Sequence, residues 1–256
     1  MEGDEMDGNN VIIETQGLTK RYGSIVAVED LSLVVPSGHI FGFLGPNGAG
    51  KTTTILMLLG LTRPTRGRAV VCGFDPTREA IRVKRMVGYL PEHLGFYDDL
   101  TARENLKYVA RLNGIRDEEA AEKLDKALDT VGLTEDSNRR VGTFSRGMRQ
   151  RLGIAEILIK EPRLVILDEP TLGLDPEASN RMIDLIQKLS KEKGMTVLFS
   201  SHFLPQVQRI SDRIGIMIRG RMVAEGSIDD LAKEKLGVGK EKYSLEELYM
   251  RYFQEE

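Results

Sequence analysis

Short apolar runs recur along the chain between stretches of helical periodicity, at 11–13, 31–35, 40–44, 69–72, 86–90, 164–167, 196–199 and 213–218. Alternation of this kind predicts an α/β layered fold. The run 164–167 is continuous rather than alternating, the pattern of a strand covered by helices on both sheet faces, and predicts a central parallel strand. From Thr101 to Val131 the sequence turns charged and alanine-rich, with Leu124 and Leu128 four apart, so a mostly helical lobe is expected over about 94–160. Leu245, Leu248, Tyr249 and Tyr252 repeat at helical spacing and predict a terminal amphipathic helix packed on its own domain. No internal repeat is seen, and no low-complexity segment beyond the first ten residues.

Composition narrows the function classes. With 256 residues, 41% hydrophobic, the chain can bury a sizeable core in one domain, or in one main domain with a smaller lobe, so disorder is a poor description. Against 36 basic residues stand 39 acidic ones, a net charge of -3, so no global field draws it to nucleic acid or lipid; no nucleic-acid partner is expected, and any partner is recognised locally. The lone cysteine, Cys72, excludes an internal disulfide and reads as core filler. No apolar run approaches the roughly 20 residues that cross a bilayer. The acidic, polar residues 1–10 lack the basic start and apolar centre of a secretory signal, so they read as a flexible tail and the chain is expected to stay in the cytoplasm.

The strongest chemical signal is Gly45-Pro46-Asn47-Gly48-Ala49-Gly50-Lys51-Thr52, which fits G-x-x-x-x-G-K-[ST] between the apolar run 40–44 and a helical-looking stretch from Thr53 to Leu59. Glycines at 45, 48 and 50 allow successive N–H groups to converge on a phosphate at a helix N-terminus. Lys51 would reach the β- and γ-phosphates, and the Thr52 hydroxyl suits a magnesium ion bridging them.

Two carboxylates, Asp168 and Glu169, stand where the run 164–167 ends, the edge at which ligands bind in open α/β sheets. Asp168 can hold the magnesium, directly or through water, and Glu169 is free to face the attacking water. An exposed acidic turn is the plain alternative, and it loses force beside a phosphate loop. His202 follows another strand-like run, so it too should lie at the carboxyl edge, as a γ-phosphate donor that orients Glu169.

Taken together, these residues resemble the ATP-binding cassette (ABC) family over about 11–226. Phe144-Ser145-Arg146-Gly147-Met148-Arg149-Gln150-Arg151, at the expected start of a helix, is similar to that family's signature segment; Gly173-Leu174-Asp175-Pro176 is similar to its D-loop. Tyr22 stands where an aromatic stacks on adenine. The resemblance implies a P-loop core with a mixed or parallel sheet, an N-terminal antiparallel β subdomain, a helical signature-bearing subdomain at about 94–160, and a helical extension at 227–256. It implies ATP and Mg2+ as ligands, with Thr53 among the ATP-binding residues. It also implies head-to-tail pairing with a second ABC ATPase subunit, so that Ser145 and Gly147 of one chain close over the γ-phosphate held by Lys51 of the other.

The chain departs from the usual signature Leu-Ser-Gly-Gly-Gln at Phe144, Arg146 and Met148, keeping Ser145 and Gly147. In Tyr89-Leu90-Pro91-Glu92, Glu92 replaces a common glutamine; a carboxylate can ligate magnesium but adds negative charge near phosphate. Both departures are like those of the branch that exports drugs, sodium or similar substrates through a separate transmembrane permease (ABC-2 type), in which the segment 95–103 docks the permease at the cytoplasmic face of the membrane. Two other functions compete. A soluble cassette remodelling DNA, ribosomes or an iron–sulfur scaffold often carries two cassettes, a coiled-coil insertion or zinc-binding cysteines; here there is one cassette, no long heptad run and one cysteine. A GTPase should show Asn-Lys-x-Asp, which is absent.

Overall fold

The computed structural model describes residues 11–236 and 244–254; the expected tail at 1–10 lies outside them. The elements run β1 (Val11–Tyr22), β2 (Ile25–Pro36), β3 (Ile40–Leu44), α1 (Lys51–Leu58), β4 (Arg66–Val71), α2 (Ala80–Met86), β5 (Val87–Leu90), α3 (Ala102–Leu112), α4 (Asp117–Thr130), α5 (Arg146–Leu158), β6 (Leu164–Asp168), α6 (Pro176–Lys191), β7 (Thr196–Ser201), α7 (Leu204–Ile210), β8 (Arg213–Ile218), β9 (Arg221–Gly226), α8 (Ile228–Leu236) and α9 (Leu245–Gln254).

A six-stranded sheet in the order β5-β6-β7-β3-β8-β9 forms the centre. It is parallel except for β9, which runs antiparallel to β8. A second, antiparallel sheet has the order β2-β1-β4. Alternation of side chains across the central sheet divides its apolar residues between two cores. Leu164 and Ile166 of β6 join Phe41 and Phe43 of β3 on the side of α1 and the antiparallel sheet. Val165 and Leu167 join Ile40 and Leu44 on the side of α5, α6 and α7. A strand buried on both faces has no polar position to alternate with, which is why β6 reads as an unbroken apolar run.

α3, α4 and α5 occupy the stretch in which a helical lobe is expected. Thr101 caps α3 in a reciprocal box with Glu104, and buried Asn105 fastens the preceding loop to it: its Oδ1 accepts from the Tyr97 N–H at 3.0 Å, and its Nδ2 donates to the Tyr97 and Thr101 carbonyls at 3.1 and 2.9 Å. α9 buries Leu245 and Leu248 in the core beside α7, and Gln208 Oε1 accepts from the Leu245 N–H at 3.0 Å. Among the described residues no helix is long and apolar enough to cross a membrane.

Some boundaries differ from expectation for local reasons. β4 stops at Val71 because Cys72 turns into the left-handed region at φ 51°; it is nevertheless buried, and burial pushes its thiol up to about 11. Met86 closes α2 instead of opening β5. β1 and β2 are each 12 residues long, since polar residues, some exposed like Gln16 and Ser32 and some buried like Thr15 and Thr19, interrupt the apolar runs by which they are recognised.

Candidate active site

The carboxyl ends of β3, β6 and β7 and the N-terminus of α1 meet at one corner. β3 delivers the loop 45–50 into α1, backed by the end of β8 and by β2. A Cβ on Gly45 would stand 2.3 Å from the Met217 carbonyl oxygen, and one on Gly50, at φ 105°, 2.4 Å from that of Ala27. Only glycine lets the loop lie that close. The Gly220 N–H also donates to the Ala49 carbonyl at 3.0 Å, fixing the loop from outside. Lys51 is buried and donates to the Gly45 and Pro46 carbonyls at 2.7 and 3.2 Å, which curls its ammonium back over the loop. Thr52 and Thr53 follow in the first turn of α1; Asn47 and Gly48 form the exposed crest.

β6 and β7 pair in parallel with Asp168 opposite Ser200. Thr52 Oγ1 donates to Asp168 Oδ2 at 2.9 Å, and Ser200 Oγ donates to Asp168 Oδ1 at 2.6 Å. The next residue, Glu169, takes φ 49°, its N–H donating to Ser200 Oγ at 2.9 Å. Its carboxylate returns to the corner: Oε2 lies 2.9 Å from His202 Nδ1, while Oε1 lies 3.5 Å from Lys51 Nζ and is buried without a hydrogen bond. Lys51, Thr52, Asp168, Glu169 and His202, drawn from three parts of the sequence, thus form one connected set.

Glu92 lies two residues beyond Leu90, which pairs in register with Leu167. Tyr89 reports the proximity of Glu92 and Asp168: burial first, then the charges of Asp168 and Glu92, push its phenol up to about 12. Glu92 itself is half-buried, 3.6 Å from the Nδ1 of exposed His93. Tyr22 ends β1 as a residue 48% exposed, with Lys20 Nζ 4.8 Å from the centre of its ring. The hairpin it starts leads to Ala27, against which Gly50 rests.

Ser145, Gly147 and Asp175 lie apart from that set. Ser145 is the N-cap of α5, accepting from the Met148 N–H at 3.3 Å, and Asp175 caps α6, accepting from the Ala178 N–H at 2.9 Å. They line, with Gly147 and Arg151, a pocket of about 190 Å³. A larger cleft of about 420 Å³ runs from Glu169 and His202 past Leu172 to Leu174 and Phe203.

Sequence reasoning missed Ser200, one of three hydroxyl residues in β7, with no local mark of which one meets Asp168. It also missed Gln206, which accepts from Thr171 Oγ1 at 2.7 Å and donates to Ser179 Oγ at 2.5 Å, joining the loop after β6 to α6 and α7. No linear pattern marks that contact.

Residues 28–172 match the family model described as ABC transporter. The bacitracin transport ATP-binding protein of Bacillus licheniformis is 46% identical over 224 residues, 88% of this chain and 72% of that protein. The daunorubicin/doxorubicin resistance ATP-binding protein of Streptomyces peucetius is 42% identical over 225 residues, 88% of this chain and 68% of that protein. Among solved structures, an ATP-binding subunit of an ABC transporter superposes with a TM-score of 0.83 at 33% identity, covering 94% of this chain and 99% of that one. With this fold and these relatives, the chain is an ATP-binding ATPase belonging to the ABC transporter family.

Proposed function

We propose that the chain is the ATP-hydrolysing subunit of an exporter, paired with a second ABC ATPase subunit and attached at the cytoplasmic face of the membrane to a separate permease. The relatives named for bacitracin transport and for daunorubicin and doxorubicin resistance support the export reading. The observation that carries the chemistry is the connected set of Lys51, Thr52, Asp168, Glu169 and His202. In this reading 11–226 form the cassette, 94–160 its helical lobe and 227–256 an extension.

The donor set fits magnesium. The Thr52 hydroxyl and the Asp168 carboxylate are hard oxygens already 2.9 Å apart. An ion held by these two oxygens would take its remaining ligands from phosphate and water, with Glu92 at the margin. Bound there, the ion would neutralise charge on the β- and γ-phosphate oxygens. The chain's own residues do the rest. The loop N–H groups and Lys51 hold the triphosphate, Lys51 exchanging the loop carbonyls for phosphate oxygens, and Tyr22 takes the adenine. Glu169 Oε1, buried without a donor, accepts the proton of the attacking water, while His202 holds Oε2. Ser145 and Gly147 act on the nucleotide of the partner chain, and Asp175 stands at that interface, so that ATP closes the pair and hydrolysis opens it.

The segment 95–103 is the face assigned to the permease. Asn105 ties it to α3 through Tyr97 and Thr101, and it presents Tyr97 edge-on to Tyr108 with ring centres 5.1 Å apart, both exposed, one helical turn from exposed Leu112. Affinity purification of the full chain from detergent-solubilised membranes tests the reading: one multi-span membrane protein should accompany it, and replacing Tyr97 and Tyr108 by serine should release it. Recovery with ribosomes or DNA instead would favour the remodelling alternative.

A further inference from the structure

Ser200 is wholly buried on β7, yet its hydroxyl belongs to the polar corner and not to the core. A hydroxyl carries one proton, and here the bond directions fix its use. Asp168 Oδ1, at 2.6 Å, can only accept, so the proton points there; the lone pairs then face the Glu169 N–H at 2.9 Å. Thr52 occupies the other Asp168 oxygen at 2.9 Å, so the plane of that carboxylate is held from both ends. Glu169 needs the second bond more than an ordinary strand residue would. Its φ of 49° lies in the left-handed region, which a non-glycine residue keeps only when its surroundings hold it there. That twist turns the chain after Asp168 so that the Glu169 carboxylate reaches Lys51 and His202.

We propose that Ser200 is a positioning residue for hydrolysis: one hydroxyl sets both the carboxylate plane of Asp168 and the backbone twist that aims Glu169. The inference rests on the roles given above to those two acids. Ser200 touches neither nucleotide nor water and acts only through them. A purely structural serine would affect folding stability and leave turnover per folded molecule alone. A positioning serine should alter turnover and the divalent-ion requirement while sparing nucleotide binding by the loop and Lys51.

The test compares the full-length parent with Ser200→Ala, Glu169→Gln and the double variant. It measures single-turnover ATP hydrolysis, ATP affinity in chelator and the magnesium concentration for half-maximal rate. For Ser200→Ala we expect hydrolysis to fall by about ten- to a hundredfold, the range for hydrogen bonds to charged groups. ATP affinity without divalent ions should stay within about threefold, the magnesium requirement should rise, and the double variant should be little slower than Glu169→Gln, as expected of groups acting as one unit. Should Ser200→Ala fail to fold, Ser200→Cys fills the space with a weak hydrogen-bonding group and carries the same expectation. Hydrolysis at the parent rate in the folded Ala or Cys variant, or a double variant in which the two losses multiply in full, overturns the proposal. Glu169→Gln hydrolysing at the parent rate would instead remove Glu169 as the base, and the Ser200 inference with it.

Discussion

The corner where β6 and β7 end over α1 and the corner where α5 begins both carry groups suited to phosphate, but they use their polar atoms differently. In the first, Lys51, Thr52, Asp168, Ser200, Glu169 and His202 are bonded to one another across three strands' worth of sequence. In the second, the Ser145 hydroxyl and the Asp175 carboxylate each accept from an N–H of their own helix, three residues on. The first corner is assembled within the chain, and a change there should show in a single copy. The second has capped helix ends facing an exposed pocket, and on the proposed reading a change there shows only when two copies meet.

Glu169→Gln should have the largest effect and breaks the first corner at its chemistry. Hydrolysis should fall by about a hundredfold or more, the range for losing a general base. ATP binding should survive, and light scattering should detect an ATP-dependent dimer that accumulates because it cannot discharge. Unchanged turnover would strip the corner of its proposed base. Lys51→Ala strikes the same corner one step earlier. The loss of a charged donor to phosphate should weaken ATP affinity by about ten- to a hundredfold by calorimetry, in single chains as well as pairs. Gly147→Val is the contrasting change. A Cβ at Gly147 would stand 3.0 Å from the Ala178 Cβ, so a branched side chain must push α5 from α6 or fill the pocket beside Ser145. Turnover should drop by about tenfold, equivalent to ~1.4 kcal/mol of barrier, with single-chain ATP affinity unchanged. A matching loss of affinity would mean that the two corners are not separate in the monomer.

The two corners also differed in how far they could be read from the sequence. The phosphate loop and the acids after β6 sit inside local patterns, a glycine-spaced turn before a helix and an apolar run ending in carboxylates. β3 and β8 keep the bounds their apolar runs predict. Ser145 was legible as a helix start, and it is the N-cap of α5. What was not legible depends on neighbours distant in sequence. Ser200 matters because strand pairing sets it opposite Asp168, and nothing in Phe199-Ser200-Ser201 reveals that register. β9, Arg221–Gly226, lies at the sheet edge, and its apolar stretch is only Met222-Val223-Ala224 between Arg221 and Glu225, too short to stand out. α6 was marked in the sequence only by the likeness of 173–176 to a D-loop, although an Asp cap followed by proline is itself a helix start.

α5 runs from the second corner to β5, the neighbour of β6, and a small effect along it tests whether the two corners are mechanically linked. Its first turn carries Gly147; its last turns press on β5 so closely that a Cβ on Gly88 would stand 1.9 Å from Ile157 Cγ2. Glu156 lies at that contact. Burial pushes its carboxyl above the ordinary 4.5, with Lys160 only partly opposing, and Lys160 donates to the Lys84 and Val87 carbonyls. The folded chain therefore binds the Glu156 proton more tightly than the unfolded chain does. Stability is lost as pH rises from 4.5 through the raised value, and the cost is complete above it. Glutamine has no charge to desolvate, so Glu156→Gln should match the parent below pH 4.5 and melt at a higher temperature than the parent near pH 8. If that firmer seat for α5 also changes turnover while ATP affinity holds, motion of α5 against β5 is part of how the two corners communicate. If melting shifts and turnover does not, α5 serves them as a fixed strut.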